Sequence, residues 1–249
     1  MMSGNLQNKY FEIILSIDKN TSSEENLKYY LHSLFKGVEF RGKRFLDIGG
    51  GYGKYSFFAA CQGASTVVCL EPESAGSTAG TAVKFERIKN LLGLNNIILE
   101  TRTIQEYQVS ESPFDIILLH DSINHLDESA CMKLPEHEES KMKYLEIFNK
   151  ISQMATKNAE IIICDCSRYN LFGMLKLKNP FDPSIEWYKH QSPKVWTEML
   201  LQVGFVCPEI RWNYYSKYLP KERPIALSAL VAYLTSSHFW IKMHFQPEQ

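Results

Sequence analysis

The sequence predicts an open α/β fold, a doubly wound and mostly parallel sheet with helices on both of its faces. From residue 44 onward, short β-branched apolar runs without polar alternation are typical of parallel strands buried on both faces. Helical segments long enough for the crossovers of a parallel sheet separate these runs. The 249 residues are 45% hydrophobic and 22% charged, a globular composition that allows a sizeable core.

The N-terminal region is predicted to form a helical cap. Residues 11–15 and 27–31 carry apolar side chains at helical spacing. The polar run 20–25 between them is interpreted as a turn and N-cap, because Ser or Thr followed by acids satisfies free helix N–H groups. No linker rich in Pro, Gly or Ser divides the chain, so we expect one domain, with the cap at 1–40 and the core at 41–249.

The core elements alternate along the chain. The predicted strands are residues 45–48, 66–70, 97–99, 115–119, 161–164, 205–212 and 238–245. The predicted helices are residues 52–61, 81–92, 139–154 and 193–203, with a short helix opened by Pro224 and reaching Tyr233.

Charge and cysteine usage exclude several classes of protein. The 27 basic and 28 acidic side chains give a net charge of −1, which argues against nucleic acid as a partner. Six scattered cysteines are too few for a disulfide scaffold and are expected to be reduced. No signal-peptide pattern is present, and the uncharged stretch 225–241 contains Ser, Thr and His, so we expect a soluble, cytoplasmic protein without a membrane span.

The most informative segment is residues 45–54, Phe-Leu-Asp-Ile-Gly-Gly-Gly-Tyr-Gly-Lys. A buried strand is predicted to end at Ile48 and a helix to begin near Tyr52. The glycines between them allow a sharp turn and a close approach of ligand to backbone. The helix N-terminus then offers free N–H groups to a polar or anionic ligand group.

The glycine spacing discriminates between ligands. A dinucleotide motif that starts at Gly49 needs glycine at position 54, where the chain has Lys54. The phosphate-binding pattern G-x-x-x-x-G-K-[ST] does not occur here either. The segment instead reads D-x-G-x-G-x-G from Asp47 onward.

This segment resembles motif I of the class I S-adenosylmethionine-dependent methyltransferases. Glu71 closes the second strand, where this family places an acid that binds both ribose hydroxyls. Residues 114–121, 159–164 and 203–205 also resemble family segments. The resemblance spans about residues 40–245. It implies a seven-stranded Rossmann-like methyltransferase fold, antiparallel strand 7 between strands 5 and 6, and S-adenosylmethionine as cofactor.

The resemblance also implies a set of cofactor-binding residues. They are Asp47, Gly49, Gly51, Gly53, Glu71, Pro72, Thr103, Ile104 and His120. His120 is expected near the cofactor sulfur. Many family members carry an acid after strand 3 that contacts the adenine amine, but here Arg102 or Thr103 stands at that place. We therefore expect adenine recognition from backbone groups at Thr103 and Ile104.

Methyl transfer to a hydroxyl also needs a general base. The loop after strand 4 contains two candidates, His125 and Asp121, at the edge of the sheet where ligands of open α/β folds bind. The alternative is that His125 only caps the following helix and that Asp121 is a solvated loop acid.

The long loop after strand 5 is predicted to line the acceptor site. Its candidate substrate-binding residues are Arg168, Tyr169, Trp187 and His190. The alternative is that its aromatic side chains fill a small satellite core. No metal is expected: Asp165 is followed by Cys166 rather than the Asn of catechol-type methyltransferases, and Cys164-x-Cys166 has no second pair at metal spacing.

The resulting prediction is a methyltransferase that acts on a small molecule, at oxygen. One alternative is a methyltransferase acting on RNA or protein, which a coherent basic face would favour. The other is a non-catalytic binding protein on the same fold, since fold alone does not fix function.

Overall fold

The computed structural model describes residues 2–19, 21, 23–73, 80–109, 112–134, 136–213 and 229–247. The chain divides into two compact units. The first unit is Met1–Tyr107 with Phe114–Leu118, and the second is Gln108–Pro113 with Leu119–Gln249. The predicted division into a cap and a core of one domain stays a prediction.

The described residues contain seven strands in one sheet, in the order β3-β2-β1-β4-β5-β7-β6. The strands are β1 Arg44–Ile48, β2 Thr66–Leu70, β3 Ile97–Glu100, β4 Phe114–His120, β5 Ala155–Cys166, β6 Phe205–Asn213 and β7 His238–Phe245. β1, β2 and β3 pair in parallel, while β7 runs antiparallel to both β5 and β6. The predicted fold class and the place of strand 7 are confirmed.

Nine α-helices lie in the described part of the chain. They are α1 Met2–Ile17, α2 Glu24–Leu34, α3 Lys54–Cys61, α4 Thr81–Leu92, α5 Glu128–Lys133, α6 Glu138–Gln153, α7 Leu171–Met174, α8 Pro193–Leu201 and α9 Ala229–Leu234. Two 3₁₀ helices cover Ile123–His125 and Trp187–Lys189.

The first two strands show why the apolar runs predicted a parallel sheet. Four consecutive residues are buried in β1 and in β2, so neither strand has a water-facing side that would impose alternation. Asp47 interrupts the run in β1, yet it too is fully buried. The acid therefore has a role inside the protein.

Some elements differ from their predictions. β5 begins at Ala155 rather than at Ile161, since its first residues lack the continuous apolar run from which the strand was predicted. The helices α5 and α7 and both 3₁₀ helices were not predicted, since three to six residues carry too little periodicity to be recognised. The helix predicted from Pro224 is described only as α9, and Pro224 lies outside the described residues.

The N-terminal helices are tied to the start of α3. Ser23 caps α2 by accepting a hydrogen bond from the Asn26 backbone N–H at 3.2 Å. The Tyr10 hydroxyl donates to the Lys54 carbonyl oxygen at 3.0 Å, and Lys54 Nζ lies 2.8 Å from Asp18 Oδ2. Both contacts hold the first turn of the helix that follows the glycine-rich segment.

The structure bears on two further predictions, that the chain has no membrane span and that its cysteines are reduced. None of the helices in the described part combines the length and apolar character that crossing a bilayer requires. All six cysteines lie in the described part and are free thiols; five are buried and Cys207 is exposed.

Candidate active site

The glycine-rich segment turns the chain between β1 and α3. Gly49, Gly51 and Gly53 all adopt left-handed backbone, with φ of 70°, 56° and 85°. Side chains with a Cβ disfavour this region, so the alternating glycines have a direct conformational reason. The Gly53 N–H donates to the Gly50 carbonyl at 2.9 Å and closes the turn.

Glu71 connects this turn to the end of β2. Its Oε2 accepts a hydrogen bond from the Gly51 N–H at 2.8 Å, and the residue is only 5% exposed. The carboxylate is thereby fixed against the glycine turn. The Glu71 backbone N–H donates to the Glu100 carbonyl at 2.9 Å, which continues the pairing of β2 with β3 beyond Leu70, the last residue of β2.

Asp47 supports the same turn from inside. Its Oδ2 accepts a 2.7 Å hydrogen bond from Ser56 Oγ, which joins β1 to α3. A Cβ on Gly50 would lie 2.8 Å from the Asp47 carboxylate and 2.6 Å from Cys69 Sγ. The turn is therefore packed tightly on its inner side at Gly50.

The outer side of the turn is open at Gly51, where a Cβ would meet no atom within 4 Å. An open backbone at Gly51, a helix start without a side-chain cap and a fixed carboxylate are features that suit a nucleoside with a vicinal diol. These residues therefore fit the nucleoside part of the predicted cofactor.

The segment after β3 carries the two residues predicted to meet adenine. The Thr103 N–H and hydroxyl both bind Glu106 Oε2, at 3.1 and 3.0 Å, and these hydrogen bonds lower the pKa of Glu106. Ile104 is 2% exposed, so its side chain is in the core. The adenine contacts predicted for Thr103 and Ile104 stay predictions.

In the second unit, polar side chains gather where β4 and β5 end. The Asp121 N–H donates to the Cys164 carbonyl at 2.8 Å, and His120 Nδ1 lies 3.2 Å from Asp121 Oδ2. Desolvation raises the pKa of Asp121, but the charge of His120 and its hydrogen bond lower it to about 2. Asp121 also has a φ of 50°, a strained backbone for a residue with a Cβ.

A second acid–imidazole pair lies at the end of β5. His190 Nδ1 is 2.9 Å from Oδ1 of Asp165, which is fully buried. Burial lowers the pKa of His190, but the hydrogen bond and the negative charge of Asp165 raise it above its ordinary value of 6.5. Burial also raises the pKa of Asp165. We place the shared proton on the imidazole, the stronger base of the two in water.

A third histidine joins β5 to β7. His238 Nε2 lies 3.1 Å from Cys166 Sγ, and its Nδ1 lies 2.8 Å from Ser236 Oγ. Burial lowers the pKa of His238 and raises that of Cys166, so both groups are neutral. The contact is a neutral thiol–imidazole hydrogen bond without a reactive thiolate.

His120, Asp121 and Cys164 each bring one potential metal-ligand atom within 4.8 Å of the others. His120 and Asp121 already form an ion pair, and Cys164 is buried. The expectation of no metal stays a prediction.

The predicted base His125 lies at the end of the first 3₁₀ helix. Its Nδ1 is 2.6 Å from Glu128 Oε1, its Nε2 is 3.4 Å from Asn124 Nδ2, and its side chain is 55% exposed. Both ring nitrogens thus have protein partners. The contact with Glu128, the first residue of α5, is consistent with the alternative in which His125 only caps or packs the following helix.

Solved structures similar to this chain come from several organisms. A candidate sarcosine dimethylglycine methyltransferase from Galdieria sulphuraria matches with a TM-score of 0.61 at 14% identity, over 97% of this chain and 98% of that one. A candidate S-adenosylmethionine-dependent methyltransferase from Listeria monocytogenes gives 0.59 at 14% identity, over 89% and 100%. A candidate histamine N-methyltransferase from Thermotoga maritima gives 0.53 at 13% identity, over 94% and 99%.

The chain has the Rossmann-like methyltransferase fold. No model of a known protein family matches the chain, and neither does any curated protein. At these identities the likeness establishes the fold alone.

Within this methyltransferase fold, the first unit brings together the predicted residues of the glycine turn and Glu71. Pro72 follows Glu71 directly and is partly exposed. His120 belongs to the second unit. The roles of all these residues toward a cofactor stay predictions.

The four predicted acceptor residues fall into different environments. Arg168 Nη2 donates to the carbonyls of Tyr188 at 2.7 Å and Met132 at 3.4 Å, so it fastens the loop after β5. Tyr169 is 57% exposed, and Trp187 packs on Gly173, where a Cβ would come within 2.8 Å of the indole. His190 alone of the four contacts a buried acid.

The sequence interpretation missed the partnership of Asp165 with His190. Asp165 was considered only as a metal ligand, and His190 only as a lining residue. The position of Asp165 at the carboxyl end of a buried strand could have indicated a functional acid. The sequence pattern does not indicate that its partner is His190, 25 positions later.

Proposed function

We propose that this chain is an S-adenosylmethionine-dependent methyltransferase that acts on a small molecule, at an oxygen atom. The observation that carries the proposal is the hydrogen bond from the Gly51 N–H to the buried Glu71 carboxylate, beside an open glycine turn. That arrangement supports an adenosyl group whose ribose hydroxyls meet Glu71. The neighbours named for sarcosine dimethylglycine and histamine support a small acceptor.

Each part of the proposed site has a distinct task. The bound cofactor supplies the electrophilic methyl group. The proposed cofactor contacts are those predicted from the sequence: Asp47, Gly49, Gly51, Gly53, Glu71, Pro72, Thr103, Ile104 and His120. Tyr169, Trp187 and His190 line the acceptor, and Arg168 holds their loop. Asp121 and His125 are the acid–base groups that the sequence suggests.

The test of the proposal is titration calorimetry with S-adenosylmethionine. Glu71→Gln keeps an oxygen that can accept from Gly51 but removes the charge, so we expect an affinity loss of about 1.5–3 kcal/mol. Glu73→Gln is the matched control, because Glu73 is an exposed acid two residues further on.

Two results would contradict the proposal: no binding to the wild-type chain, or equal affinity for both variants. Formation of S-adenosylhomocysteine with a panel of phenols, saccharides and amines then separates an enzyme from a non-catalytic binding protein.

A further inference from the structure

Asp165 is an unusually well-fixed carboxylate for a residue at the edge of a sheet. It is 0% exposed, and its Oδ1 accepts from the Cys166 N–H at 2.7 Å as well as contacting His190. Among the residues that the structure describes, its Oδ2 has no hydrogen-bond partner. A buried acid retains its charge when a cation or a strong donor lies next to it, and His190 is that group.

The segment that carries His190 is anchored on both sides. Arg168 holds the Tyr188 carbonyl, and Cys131 Sγ donates to the Lys189 carbonyl at 3.2 Å. Gln191 Nε2 donates to the Cys131 carbonyl at 2.5 Å. His190 is therefore positioned by its neighbours on α5 and β5, although it lies in a long loop.

The two ring nitrogens of His190 have different surroundings. Nδ1 faces Asp165, which favours the tautomer with the proton on Nδ1. Within the described ranges, Nε2 makes no hydrogen bond, and the side chain is 14% exposed. The Nε2 lone pair is thus available to a bound molecule, whereas both nitrogens of His125 are in contact with protein groups.

We propose that His190 is the general base of the methyl transfer, that Asp165 is its positioning residue, and that the acceptor is a phenolic hydroxyl. This inference rests on the proposed function. The acceptor O–H proton passes to His190 Nε2, and an oxygen electron pair forms the new bond to the methyl carbon. The carbon–sulfur bond breaks with its electrons on sulfur, which leaves neutral S-adenosylhomocysteine, and the imidazolium returns its proton to solvent.

Acidity favours a phenol over an alkyl alcohol as acceptor. A phenol has a pKa of about 10, close enough to that of imidazole for efficient proton transfer, while an alkyl alcohol is far less acidic. Tyr169, Trp187 and Tyr188 lie on the same loop as His190 and are at least partly exposed, and aromatic rings of this kind favour stacking with a phenol ring.

The charges that face His190 determine the pH dependence. Burial lowers its pKa, and Asp165 on β5, Asp121 after β4 and Asp182 in the loop raise it, with Glu186 also close. A raised pKa keeps the imidazole protonated, and inactive as a base, to a higher pH. The rate should therefore rise with pH through a midpoint above 6.5. In Asp165→Asn this midpoint should fall.

The first experiment needs no acceptor. ¹⁵N NMR of the histidine side chains, with His190→Gln to assign the signal, should show His190 titrating above 6.5 and carrying its proton on Nδ1 at alkaline pH. Asp165→Asn should lower the midpoint. A proton on Nε2, or a midpoint that the variant does not move, would overturn the pair.

The second experiment measures S-adenosylhomocysteine formation with phenol and with 4-nitrophenol, which is already ionised at mildly alkaline pH. His190→Gln should lose roughly 10²–10⁴-fold in rate on phenol but far less on 4-nitrophenol. His137→Gln is the matched control, because His137 is exposed at the start of α6. Added imidazole should partly restore the activity of His190→Gly on phenol, which a merely structural role would not allow.

Three outcomes would overturn the inference. They are equal losses on both acceptors, a loss in His125→Gln that His190→Gln does not share, and no transfer to any phenol by a wild-type chain that binds S-adenosylmethionine. Calorimetry on each variant separates these results from failure of the proposed function, because only the latter abolishes cofactor binding in the wild-type chain.

Discussion

Two glycines at helix ends show how one residue type meets two different requirements. Gly53 precedes α3 with a φ of 85°, and Gly93 follows α4 with a φ of 68°. A Cβ on Gly53 would lie 2.7 Å from the Phe85 ring, while a Cβ on Gly93 would meet nothing within 4 Å. Backbone conformation requires glycine at both positions, but packing requires it only at Gly53.

We therefore expect Gly53→Ala to destabilise the protein more than Gly93→Ala. Both changes cost about 1–2 kcal/mol for the left-handed backbone. Gly53→Ala adds roughly 1–3 kcal/mol, because the tightly packed Phe85 ring must move. Urea unfolding of the two variants under identical conditions measures the difference, and equal losses would contradict the packing argument.

Two buried asparagines fix the loop after β5 in place. Asn170 Nδ2 donates to the carbonyls of Tyr233 and Thr235, at 3.1 and 2.7 Å. Asn179 Nδ2 donates to the Thr235 carbonyl at 2.8 Å, and its Oδ1 accepts from the Phe181 N–H at 2.8 Å. The loop is thereby tied to the turn between α9 and β7.

Asn179→Ala should release this loop. The change leaves the buried Thr235 carbonyl with one fewer donor and removes the turn around Phe181, a loss of about 1–3 kcal/mol. Hydrogen exchange should accelerate in residues 171–189 and stay unchanged in α6. Asn149→Ala, at an exposed position of α6, is the control. Unchanged exchange in the loop would show that Asn170 alone holds it.

Strands and long helices were predictable as elements, whereas α5, α7 and both 3₁₀ helices were not. The apolar run of β2 and the periodicity of α4 placed both within a residue of their observed bounds. The four-residue helix α7 depends on the Asn170 side chain, which accepts from the Phe172 N–H. Its formation is decided by contacts of Asn170 with residues more than 60 positions away.

Binding of S-adenosylmethionine, the ligand predicted from the glycine-rich segment, should stabilise the whole molecule against unfolding. At a concentration 100-fold above its dissociation constant, a ligand adds about 2.7 kcal/mol to the free energy of unfolding. For a chain of this length, that raises the melting temperature by roughly 5–10 °C. S-adenosylmethionine should produce this shift in a thermal melt, and NAD should not. An equal shift with NAD would contradict the spacing argument.

The sequence by itself determined the strands of the sheet and the glycine turn as a candidate cofactor site, while the order of strands at the C-terminal end came from the resemblance to methyltransferases. Consecutive apolar residues along the chain predict a buried strand. The turn is one contiguous segment from Asp47 to Gly53, and its backbone conformation requires glycine. Only the tertiary structure decided that Asp165 meets His190, that Arg168 binds backbone carbonyls and that both nitrogens of His125 are in contact with other residues. The first two pairings depend on how the long loop folds back, and the His125 contacts, which are local, depend on side-chain direction. No local propensity encodes either.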